Sequence, residues 1–62
     1  MNSIKVLPKV AQRLVLSIKS GNRTCGSEVA SNGYTYHAKR IGDYVSVEVE
    51  NDSFGLINVY QF

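Results

Sequence analysis

Between Pro8 and Ser20 the apolar residues Val10, Leu14 and Ile18 recur at four-residue spacing, with Ala11 and Val15 beside them. That spacing lays one apolar stripe along a helix. Lys9, Gln12, Arg13 and Lys19 then fall on the solvated side. Pro8 suits the first helical turn, where its missing N–H costs nothing. Gly21 supplies the C-terminal stop, and Lys19 suits the negative end of the helix dipole. Leu14, Leu16 and Ile18 also alternate, so a strand over residues 14–18 competes with the helix.

After Gly21-Asn22 the pattern changes to short alternating runs broken by turn residues. Asn32-Gly33 between residues 28–31 and 34–37 signals a tight hairpin, because both residues tolerate positive φ. Gly42-Asp43 marks a second two-residue turn, and Asn51-Asp52-Ser53 a third break. Two-residue turns fix register. The first hairpin is expected to pair Ser31 with Tyr34, Val29 with Tyr36, Ser27 with Ala38 and Cys25 with Arg40. The second is expected to pair Ile41 with Tyr44, Lys39 with Ser46, His37 with Glu48 and Thr35 with Glu50. One face then holds Val29, Tyr36, Ala38, Val45, Val47 and Val49, the side for the helix to cover. The other holds Thr35, His37, Lys39, Ile41, Tyr44, Ser46, Glu48 and Glu50. The loop before residues 55–62 leaves the last register open.

The expected fold is α+β: one N-terminal helix packed on a three- to four-stranded antiparallel β-meander. If residues 14–18 are a strand, a small all-β barrel replaces it. The chain has 62 residues, 44% hydrophobic and 19% charged, a composition that folds as one small domain. Such a chain buries only about 60% of the surface its unfolded form exposes. A single cysteine allows no internal disulfide, so self-association as a homodimer is one expected support. No apolar run approaches the ~20 residues that span a bilayer. Met1 to Pro8 lacks the apolar core of a signal peptide. With one free Cys25, a cytoplasmic location is expected.

Charge is unevenly spread. Residues 1–40 hold all seven bases against one acid, Glu28, a formal +6, while residues 41–62 hold four acids and no base, a formal −4. Attraction between the two halves, within the chain or across a dimer, explains this; a nucleic-acid-facing side is the competing explanation.

Candidate chemistry is thin. A Cys25–His37 nucleophile and base would need hydrogen-bond reach, and the expected register puts them on opposite faces, with Cys25 a small buried thiol. Glu48 and Glu50, about 7 Å apart at strand rise, are expected to pair across strands with His37 and Thr35 rather than act as an acid–base couple. His37 opposite Glu48 is also a candidate pH sensor. Gly21 to Gly26 has phosphate-loop spacing but lacks the following Lys-Ser/Thr. No catalytic residue, cofactor, metal site, membrane contact or small-molecule substrate is expected.

The segment Leu56 to Phe62 carries no charge and is apolar on both alternations. As an edge strand it would be an open template for another chain. The expected function is therefore non-catalytic: a protein-binding accessory or inhibitor using Tyr44, Ile57, Val59, Tyr60 and Phe62. The alternative is a small nucleic-acid-binding regulator using Lys9, Arg13, Lys19 and Arg23 on the basic helix face.

Overall fold

The structure, a computed structural model, describes residues 3–53 and 55–62. Met1 and Asn2, which belong to the segment weighed as a signal peptide, lie outside the described residues. A short 3-10 turn (Ile4–Val6) leads into helix α1 (Lys9–Lys19). Strands β1 (Cys25–Val29), β2 (Thr35–Ile41), β3 (Tyr44–Asn51) and β4 (Gly55–Gln61) follow. They form one antiparallel sheet in the order β1-β2-β3-β4. The fold is thus the α+β meander, an open sheet rather than a closed barrel.

The helix wins over the alternating reading because burial follows its period. Ala11, Leu14, Val15 and Ile18 are buried, whereas Leu16, which a strand would place beside Leu14 and Ile18, is 55% exposed. Pro8 sits one position earlier than expected. Its backbone is extended, with ψ at 160°, and it serves as the N-cap whose carbonyl accepts from Gln12 N–H at 2.9 Å. At the other end Gly21 has a φ of 89°. Asn22 N–H reaches the Ser17 carbonyl and Gly21 N–H the Ile18 carbonyl, both at 3.1 Å. This double closure satisfies two carbonyls that the helix end would leave open.

The core lies between α1 and one sheet face. Leu7, Ala11, Leu14, Val15 and Ile18 meet Tyr36 and Ala38 of β2 and Val45, Val47 and Val49 of β3. Full burial of each large aliphatic side chain contributes roughly 1.5–3 kcal/mol. Five of the six expected sheet residues are there. Val29 is not; it is 69% exposed.

The reason is the first hairpin. Observed partners are Cys25 with Lys39, Ser27 with His37 and Val29 with Thr35, one residue off the expected pairing. Because side chains alternate, that slip turns all of β1 over. Gly26 and Glu28 now face the helix side, and Cys25, Ser27 and Val29 face away. The second hairpin has the expected register throughout. There Gly42 alone takes a positive φ, 60°, as a type II′ turn requires.

The last register is set by Phe62. It exchanges two backbone hydrogen bonds with Val45, at 2.9 and 3.0 Å, and its side chain is 3% exposed in the core. Further along, Asn58 pairs with Val49 but Leu56 with Glu50, so Ile57 is an extra residue, a β-bulge.

Candidate interaction surfaces

One helix covers one face of the sheet, and the other face is open. Rows of side chains cross it, built by the registers of all four strands. The first row is Val29, Thr35, Glu50 and Leu56; the second is Ser27, His37, Glu48 and Val59. Cys25, Lys39, Ser46 and Gln61 form the third, and Ile41 and Tyr44 the last. Apolar side chains stand at the margins and polar ones in the middle.

At the centre, Ser27 Oγ lies 2.7 Å from His37 Nδ1, and His37 Nε2 lies 3.2 Å from Glu50 Oε1. A carboxylate accepts from Nε2–H, which leaves Nδ1 to accept the Ser27 hydroxyl proton. Ser27 and His37 border a shallow depression of about 280 Å³ that Cys25, Lys39, Ser46 and Glu48 also line. The imidazole and the carboxylate are 42% and 48% exposed, so water reaches both bonds.

Three expectations are corrected here. His37 is opposite Glu48 in register, but its side chain runs diagonally to Glu50. Cys25 is an exposed thiol, not a buried one. It shares a face with His37, although Ser27 is the side chain that bonds the ring. The flipped strand accounts for the last two. Among the described residues, no three His, Cys, Asp or Glu side chains group to hold a metal ion. No described helix is long and apolar enough to cross a membrane.

The residues chosen for partner binding separate. Val59 is 48% exposed on the open face, and Leu56, which the sequence did not single out, is exposed there too. Ile57 is exposed at the bulge. Tyr44 is half-buried on the same face, but four residues along β3 from Glu48, the partner of Val59. That is about 13 Å at strand rise, with Ser46 and Gln61 in the row between, so Ile41 and Tyr44 are not continuous with Val59. Tyr60 and Phe62 turn to the helix side, their rings 6.1 Å apart. Phe62 is an anchor of β4, with almost no surface to offer a partner.

The β4 edge is also less bare than its composition suggests. Phe62 bonds back to β3, so by alternation the Val59 N–H points outward. Asn58 Oδ1 accepts that N–H at 2.9 Å, and Asn58 Nδ2 donates to the Tyr60 hydroxyl at 2.9 Å.

The bases of α1 lie on the opposite side of the sheet. Lys9, Arg13 and Lys19 are exposed on α1, and Lys5 precedes it. Arg23 is exposed after the helix; its Nε donates to the Cys25 carbonyl at 3.2 Å, and its guanidinium lies against Gly26. The ion pair of the described residues is His37–Glu50, and no Lys or Arg joins one. The bases of α1 therefore do not pair with Glu48 and Glu50: α1 lies on one side of the sheet, the two carboxylates on the other. No protein-family model matches this chain, and no curated protein or solved structure gives a significant match.

Proposed function

We propose that the chain is a non-catalytic protein-binding module, an accessory or inhibitor that docks a partner through its open sheet face and β4. The observation that carries this is the exposed trio Leu56, Ile57 and Val59 on a strand with a polar surface beside it. Apolar side chains grouped at an edge, next to groups that fix orientation, suit protein recognition. Ile57 and Val59 are the central contacts, Leu56 joins them, and Tyr44 and Tyr60 lie at the periphery. Phe62 acts indirectly, by holding β4 in register. The Ser27–His37–Glu50 chain supplies directional hydrogen bonds. Its half-exposed setting favours recognition over catalysis, which needs a site that excludes water. A second copy of this chain is one such partner.

The test places a photoreactive benzoylphenylalanine at Val59 or, as a control, at Gln12. A discrete adduct or crosslinked dimer from position 59, lost on Leu56→Asp and absent from position 12, is the expected outcome. Equal labelling from both positions, or none from position 59 with a monomer in sedimentation, removes the reading.

A further inference from the structure

We propose that the outer face of α1, with Lys5 and Arg23 at its ends, docks the phosphate backbone of duplex nucleic acid. This surface is separate from the sheet face and stands or falls independently of it. Lys9 and Arg13 are four residues apart, so they project from the same side of the helix. Lys19 lies about a quarter turn round from Lys9, and Arg23 is exposed beyond the C-terminal end of the helix. Lys9, Arg13 and Lys19 are thus all exposed on the side of the helix away from the core.

Stability does not explain this arrangement. The helix has no acid in its first turn. Lys5 and Lys9 stand at the positive end of its dipole, where cations are unfavourable. Lys9 and Arg13 form a like-charge pair at a spacing that destabilises helices. No described carboxylate pairs with any of the five bases. An anion supplied from outside relieves each of these.

The shape of the patch favours a duplex over the other large polyanion, a lipid surface. An interfacial helix inserts an apolar face, but the apolar face of α1 is buried in the core. Its outward side shows Leu16 as the one large exposed hydrophobic residue. From Lys9 to Lys19 the helix rises about 15 Å. Phosphates repeat about every 3.4 Å along the axis of one strand, so about four lie within that length. Long, flexible side chains reach them without reading bases, so binding is expected to be independent of sequence.

The experiment is fluorescence anisotropy of the full chain with a labelled random-sequence 24-base-pair duplex at 50 and 200 mM salt. Four neutralised phosphates give a roughly hundredfold loss of affinity between these salts. Lys9→Gln with Arg13→Gln should weaken binding at least tenfold and flatten the salt dependence, while Lys39→Gln on the far face leaves both unchanged. Circular dichroism of each variant verifies folding. Absence of binding at 50 mM overturns the proposal. So does binding that the helix variant leaves intact, or tighter binding to phosphatidylserine vesicles than to the duplex.

Discussion

The amide of Ala30 donates to the carbonyl of Tyr34 at 2.9 Å, closing the first hairpin over the three residues Ser31, Asn32 and Gly33. Gly33 N–H returns to the Ala30 carbonyl at 3.1 Å and takes a φ of 87°, while Asn32 avoids positive φ. This is a turn followed by a glycine bulge, the three-residue relative of the two-residue loop. Asn32 is engaged instead through its side chain: Oδ1 accepts from Tyr34 N–H at 3.0 Å and Nδ2 donates to the Tyr36 hydroxyl at 3.2 Å. Gly33→Ala places a Cβ in open space but in left-handed backbone, so it should cost about 1–2 kcal/mol. Urea denaturation with an unchanged slope measures this. A neutral result means that Gly33 does not need that conformation.

The same loop determines the chemistry of Cys25. With the observed register its thiol is exposed. It should react with a disulfide reagent in the folded protein, one equivalent per chain, at a rate within about tenfold of that in denaturant. Protection by several orders of magnitude would mean that β1 is turned the other way.

Gly26, on the helix side of β1, meets α1 closely. A Cβ there would lie 2.6 Å from an Arg23 guanidinium nitrogen and 2.7 Å from Leu14 Cδ1. Arg23 can swing into solvent, but Leu14 is buried. Gly26→Ala is therefore expected to destabilise by about 1–3 kcal/mol through overpacking. Leu14→Val in the same chain should recover part of the loss. Additive losses in the double variant would place the clash elsewhere.

Where one signal dominated, the sequence was a good guide. The stripe through Val10, Leu14 and Ile18 and the stop at Gly21 located α1, and Gly42-Asp43 set the β2–β3 register residue by residue. Asn32-Gly33 did less, because the dipeptide suits two loop lengths. Nothing local distinguishes them; Gly26, which fits against Leu14 only when β1 is turned inward there, is a long-range constraint. The open face was legible for β2 and β3, illegible for β1. The side chains Leu56, Ile57 and Val59 depended on a bulge that periodicity does not reveal.

His37 and Glu50 form a diagonal pair at 3.2 Å with both side chains more than a third exposed. Solvent screening should hold its contribution within about 0–1 kcal/mol. A double-mutant cycle with His37→Ala and Glu50→Gln should give a coupling in that range. Salt at 1 M should erase most of it. A coupling above about 2 kcal/mol would point to a desolvated network and reopen a catalytic role for Ser27.

Asn58 supplies the last and most direct test of how the β4 edge is controlled. Its Oδ1 holds the outward Val59 N–H, and its Nδ2 holds the Tyr60 hydroxyl. Edge strands lacking charge or proline recruit other chains through such N–H groups. Occupying this one from within the strand leaves Val59 available for side-chain contact while discouraging backbone pairing. Asn58→Ala frees the N–H without adding apolar bulk. Sedimentation equilibrium should then show association strengthened by about fivefold, the equivalent of one added hydrogen bond at roughly 1 kcal/mol. The additional variant Val59→Pro, which has no N–H to offer, should abolish the gain. If Asn58→Ala leaves association unchanged, the Ile57 bulge alone keeps the edge from pairing, and the asparagine serves only to position Tyr60.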